Sequence, residues 1–169
     1  LSIPQFNQFF RDHFNMVVPS RAGKWNNNES TRDVVTNISS GYLDSILDFA
    51  EANGMKARMH NLIWGNSTGS HEQPAWVVNM LNNPNSLDFT SGKTNLNALR
   101  DEISERIDYY VGDGPGGLSD FSLRYDELDV YNESYHTGSN AVGSNNYWDR
   151  YGAAGIADIY DETAQAIAA

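Results

Sequence analysis

An amide and a carboxylate stand together at Asn132-Glu133, where the alternating run ELDVYNE (127–133) gives way to Ser, Tyr and His. Two readings fit that ending. Either Glu133 is a catalytic acid at the mouth of a barrel, or it marks where a strand meets water. Upstream, KARMHNLIW (56–64) sets Arg58, His60, Leu62 and Trp64 on one face and Ala57, Met59, Asn61 and Ile63 on the other. In the later run Glu127, Asp129, Tyr131 and Glu133 oppose Leu128, Val130 and Asn132. A parallel strand covered on both faces is aliphatic throughout. These two keep a polar or aromatic face, and a barrel interior with its C-terminal mouth gives such a face a destination.

The elements that must position these groups follow from periodicity. IPQFNQFFRDHF (3–14) has apolar residues at helical spacing, and FNMVVP (14–19) reads as a short buried strand closed by proline. KWNNNESTRD (24–33) reads as loop. GYLDSILDFAEANGM (41–55) is a helix stopped by Asn53-Gly54, followed at once by the strand 56–64. After a polar loop (65–74), AWVVNMLNN (75–83) reads as a helical turn. NLNALRDEISERIDYYVG (95–112) is a helix with Leu96, Leu99, Ile103, Ile107 and Tyr110 on one face. YDELDVYNE (125–133) is the third strand and 147–168 a last helix weakened by Gly152 and Gly155. Helices alternating with strands imply β-α-β crossovers and a parallel sheet, hence the α/β class. A sheet of so few strands leaves open edges, which calls for completion by other strands.

Composition closes several alternatives. The chain has 169 residues, a length suited to one domain, with a net charge of −11 and only 11 Lys and Arg, scattered. That disfavours nucleic acid and anionic membranes, and no apolar run reaches the ~20 residues of a membrane span. Cysteine is absent, which removes disulfides and thiolate chemistry. His13, His71 and His136 lack metal-ligand spacing, and the acidic loop 112–120 does not match a calcium loop, so no metal is expected. The start at Leu1, without a signal-peptide pattern, reads as a mature product or a fragment.

GKW (23–25), HNLIW (60–64), QPAW (73–76) and DVYNE (129–133), in this order and at barrel-like spacing, resemble glycoside hydrolase family 10, the endo-1,4-β-xylanases. The resemblance runs from the first helix to the fourth. It implies a partial (β/α)8 TIM barrel, about strands 2–4 with helices 1–4, with residues 1–169 as the N-terminal portion of the catalytic domain. It implies a secreted enzyme acting on xylan or a related β-1,4-linked polysaccharide, without cofactor. Glu133 would be the general acid/base of a retaining mechanism, and Asn132 would bind the sugar 2-hydroxyl in the −1 subsite. Lys24, His60 and Trp64 would line the glycone side. The chemistry suits those residue types. Acetal cleavage needs a proton donor at the leaving oxygen, indoles at 64 and 76 offer flat faces to a sugar, and Lys24 and His60 offer hydroxyl donors.

Departures from the family pattern matter as much. The family's Glu-Asn-Glu-Met before Lys-Trp is replaced by Ser20-Arg21-Ala22-Gly23, and a longer loop before Pro74 leaves the family's glutamine open between Glu72 and Gln73. A retaining enzyme needs a second carboxylate ~5–5.5 Å from the first. Past Glu133 the sequence offers Asp149, Asp158, Asp161 and Glu162, all on the last helix and none in the nucleophile motif. A whole barrel takes ~250 residues, so a second chain or segment would complete this one. The alternative is a non-catalytic carbohydrate-binding or structural protein derived from the barrel. Asp129 is expected to orient its neighbours rather than touch substrate.

Overall fold

A computed structural model describes residues 4–34, 42–64, 73–112, 124–133 and 147–168. The loops at 65–72 and 113–120, with His71, Glu72 and His136, lie outside the described residues. Helices α1 (Pro4–His13), α2 (Trp25–Asn28), α3 (Tyr42–Ala52), α4 (Ala75–Asn82), α5 (Asn95–Val111) and α6 (Tyr147–Ala168) surround three strands. These are β1 (Met16–Val17), β2 (Lys56–Trp64) and β3 (Glu127–Asn132), parallel throughout and ordered β1-β2-β3.

Local chemistry sets the boundaries. Gly54 ends α3 with φ +62°, a conformation glycine adopts without cost, and lets the Met55 amide return to the Ala50 carbonyl at 2.9 Å. Thr94 caps α5 by accepting from the Asn97 amide. The apolar stripes of α3 (Leu43, Leu47, Ala50) and α5 (Ala98, Leu99, Ile103, Ile107) are buried against Ala57, Met59, Leu62 and Ile63 of β2 in one core. Gly152, with φ +65°, kinks α6, whose Ile156 and Ile159 join that core.

Two segments are more ordered than their sequence suggests. Within the expected loop, Trp25 is sunk in the core and nucleates the short α2, with the Glu29 amide donating to its carbonyl at 2.8 Å. The expected turn at 75–83 is a helix because Val77, Met80 and Leu81 share one buried face. Strict alternation also fails in β2. Between the pairs His60–Asp129 and Ile63–Tyr131 the register shifts, so Asn61, Leu62 and Ile63 are all buried. Tyr131, expected on the face of Asp129, is buried edge-on to Tyr147 of α6.

Arg106 binds this arrangement together. It lies on the stripe of α5, is 3% exposed, and donates to the carbonyls of Leu62 (2.7 Å), Gly23 (2.9 Å) and Asn61 (3.2 Å). Its guanidinium stacks 5.1 Å from the Trp25 ring and 4.4 Å from Tyr110. Gly23 must be glycine for a related reason: a Cβ there would stand 2.6 Å from the His60 carbonyl oxygen. Replacing Arg106 by Met strands those carbonyls without a donor. The variant is expected to lose at least about 3 kcal/mol of unfolding free energy in urea titration, with an unchanged slope; a loss below about 1 kcal/mol would show that the tether is dispensable.

Candidate active site

The ends of β2 and β3 form the site. Trp64 closes β2 and is the Cα partner of Asn132, the final pair of the parallel ladder. Above the Trp64 indole lies the Lys24 ammonium, 3.9 Å from the ring centroid, on a side chain left 7% exposed. A cation over an indole face is attracted by the ring quadrupole, which helps to fix the lysine. The His60 ring meets the same indole edge-on, 5.4 Å between centroids at 82°.

His60 is oriented in turn by Asp129. Its Nδ1 is 2.8 Å from Asp129 Oδ2, and because a carboxylate only accepts, Nδ1 donates, leaving Nε2 as the ring's other polar atom. Arg58 donates to the other oxygen of Asp129 through Nε at 3.0 Å and through Nη2. Burial works to raise the Asp129 carboxyl, but the hydrogen bonds and charges of Arg58 and His60 outweigh it, so its pKa lies below the usual value. Asp129 thus holds His60 and stays behind the site, as its place in the strand suggests.

Glu133 follows Asn132 at the strand end. It is exposed and has φ 51°, a left-handed backbone that side chains with a Cβ rarely adopt. Such strain is found where surrounding structure holds a functional group in place. Lys24, His60 and Trp64 are therefore joined by contact, and Asn132 and Glu133 are brought beside Trp64 by strand register. Trp76, the other proposed sugar platform, is elsewhere. It packs edge-on to Trp25, 5.4 Å between centroids, on the far side of the Lys24-Trp25 step.

Gln73 has a holding role. It is buried, its amide donates to the Trp64 carbonyl at 2.8 Å, and its oxygen accepts from the Tyr147 hydroxyl. Neither this link nor the Arg106 tether is apparent from motif spacing, although Arg106 betrays itself as a charged residue on the apolar period of α5. Asn28 is 1% exposed and donates to the Ala22 carbonyl, so the N-x-Ser sequence Asn28-Glu29-Ser30 has no room for a glycan.

A second cluster escaped the sequence reading. Glu29, Asp33 and Glu102 bring one carboxylate oxygen each within 4.8 Å of one another. Arg32 already serves as the cation there, its Nε donating to Glu102 at 2.7 Å while Nη1 reaches Asp88 at 3.0 Å. Burial pushes the Glu102 carboxyl up to about 7, against the pull of Arg32 and with help from Asp33 and Glu105.

The comparisons with known proteins bear on these geometries. The family description "Glycosyl hydrolase family 10" matches residues 2–168. The chain belongs to glycosyl hydrolase family 10. Over 113 residues, 66% of this chain and 27% of the relative, it is 31% identical to a β-1,4-xylanase of Dictyoglomus thermophilum. It is also 31% identical over 132 residues, 78% of this chain and 14% of the relative, to anti-sigma-I factor RsgI6 of Acetivibrio thermocellus. Among solved structures, endo-1,4-β-xylanase of Caldicellulosiruptor owensensis superposes with a TM-score of 0.69 at 18% identity, covering 95% of this chain and 42% of that one. Xylanase B of Clostridium stercorarium F9 gives 0.69 at 21% identity, covering 98% and 45%. This family-10 chain therefore spans less than half the length of these relatives, and its fold is part of their (β/α)8 barrel, about strands 2–4 with helices 1–4.

Two pH effects of opposite sign follow. Asp129 has a depressed folded pKa, so its contribution is present above the unfolded carboxyl value of about 3.9 and lost as pH falls through the folded one. Asp129→Asn should be less stable than the parent at pH 6, and the gap should close in acid, as read by thermal melts. Glu102 has a raised folded pKa, so its contribution is complete below its ordinary value of 4.5 and lost as pH rises through about 7. Melting temperatures of the parent should fall relative to Glu102→Gln between pH 5 and pH 8, and parallel curves would contradict this.

Proposed function

We propose that this chain is the acid/base-bearing part of a retaining endo-1,4-β-xylanase and that its substrate is xylan or a related β-1,4-linked polysaccharide. One observation carries the reading: the ladder sets Trp64, with Lys24 on its face, opposite Asn132, the residue before Glu133. Glu133 donates a proton to the departing glycosidic oxygen and later removes one from the attacking water. Asn132 hydrogen-bonds the sugar 2-hydroxyl in the −1 subsite. Lys24 and His60 supply donors to hydroxyls on the glycone side, where Trp64 provides an apolar wall. No cofactor enters such a hydrolysis. A polymer of this kind is met outside the cell, so the reading takes the protein to be secreted.

The nucleophile must come from elsewhere. None of the acids of α6 stands in the family's nucleophile motif, and Glu162 is paired with Arg100 of α5. α6 packs on α5, and among the described residues only its first turn, through Tyr147, reaches the ends of β2 and β3. A further segment or a second chain completing the barrel supplies the carboxylate ~5–5.5 Å from Glu133, and residues 1–169 are the N-terminal portion of that domain.

A second reading is a non-catalytic carbohydrate-binding protein built on the same barrel portion. It is favoured by the relative named as an anti-sigma factor and by Ser20-Arg21-Ala22-Gly23 in place of the family's glycone-binding residues. The two readings separate in one set of measurements. In the completed enzyme, Glu133→Ala should cut turnover on xylan by about 10²–10⁴-fold, and azide should restore cleavage of an activated aryl xyloside. The 169-residue chain alone should be retarded by xylan in affinity electrophoresis and release no reducing sugar. Unimpaired turnover by Glu133→Ala removes the assignment, and a completed protein that binds xylan without cutting it establishes the second reading.

A further inference from the structure

A cleft of about 470 Å³ lies between α4 and the 83–94 segment, lined among others by Trp76, Phe89, Arg32, Asp88, Asn79 and Asn83. The proposed mechanism uses none of these residues. We infer that this cleft is a second saccharide-binding site, which takes a stretch of neutral β-linked polysaccharide outside the reacting bond. Naming that polysaccharide as xylan rests on the function proposed above; the saccharide class rests on the cleft itself.

Three features of the cleft point to that class. First, it combines aromatic faces with amides. The half-buried Trp76 and the Phe89 ring, 92% exposed at the rim, flank Asn79 and Asn83. Sugar rings present C–H faces to aromatics and hydroxyls to planar amide groups, and burial of both surfaces at once suits few other ligands. Second, the charged side chains that line it are already paired. Arg32 and Asp88 are paired at 3.0 Å, and hydrogen bonds from Ser91, reinforced by Arg32, hold the Asp88 carboxyl down at about 2. An anionic or cationic ligand would gain little there, whereas a neutral polyol finds donors and acceptors.

Third, the cleft is built rather than floppy. The Asp88 amide donates to the Lys93 carbonyl at 2.8 Å, and the Gly92 amide to Asp88 at 2.8 Å. The Asn95 side chain donates to the Asn83 carbonyl at 2.9 Å. Phe89 is thus presented on a stapled turn, which lowers the ordering cost of binding. The cleft is linked to the candidate active site through the core, where Trp76 packs on buried Trp25, the residue after Lys24. A polymer anchored at both places is held by two weak grips in series, which raises avidity without tightening the reacting subsite.

The test uses the 169-residue chain, xylohexaose as the probe, and an oligogalacturonate of equal length as the charged control. Amide chemical shifts of Asn83 and Phe89 are followed during titration, with dissociation constants for the parent, Phe89→Ala and Lys24→Ala. Phe89 is almost wholly solvent-exposed, so its variant keeps the fold, which matching amide spectra verify. Phe89→Ala should weaken xylohexaose binding about fivefold and abolish the Asn83 shift, while Lys24→Ala leaves that shift intact. The charged control should move neither amide. Equal affinity of Phe89→Ala and parent overturns the second site, even if Lys24→Ala shows that the glycone side binds. Loss with Phe89→Ala but not Lys24→Ala keeps the cleft and removes the active-site reading. No shift of Asn83 or Phe89 with xylohexaose overturns the second site.

Discussion

Everything at the candidate site hangs on one buried guanidinium. Arg106 projects from α5 and is accepted by carbonyls of two segments distant in sequence, Gly23 on one side and Asn61 and Leu62 on the other. These are the segments that carry Lys24 and Trp64. A buried charge is tolerable only when its donors are satisfied and its field is met by polarisable neighbours. Here backbone dipoles and the rings of Trp25 and Tyr110 do both. The Lys24 ammonium is thereby held over the Trp64 ring.

The site is organised as a chain of orientation. Arg58 fixes Asp129, Asp129 fixes His60, and His60 abuts Trp64, which Gln73 and Tyr147 steady from behind. Each link is a charge-assisted or buried contact, the kind that holds geometry against thermal motion. By contrast the carboxylate expected to transfer the proton is exposed, at the strained end of β3. Rigid surroundings and an accessible reacting group are what proton transfer to a bound polymer requires.

The sheet has open edges among the described residues. β1 and β3 are its outer strands among the described residues, and α1 keeps Phe6 and Phe9 half-exposed. In a closed barrel such edges and faces are covered by neighbouring β/α units. The solved family members, in which this portion accounts for less than half of each chain, show what that covering looks like.

Periodicity determined most of the element order and the parallel sheet, and motif order pointed to the family, because 2.0- and 3.6-residue repeats and fixed spacings are properties of the chain itself. Only the tertiary structure decided the rest. The β2 register shift sends Leu62 into the core despite its parity, Trp25 turns a loop into helix α2, and Trp76 packs on Trp25 and lines the cleft beside α4. Arg106, Gly23 and Gln73 matter through partners 83, 37 and 9 residues away. Contacts of that reach depend on where the backbone carbonyls finally lie, and local pattern does not encode that.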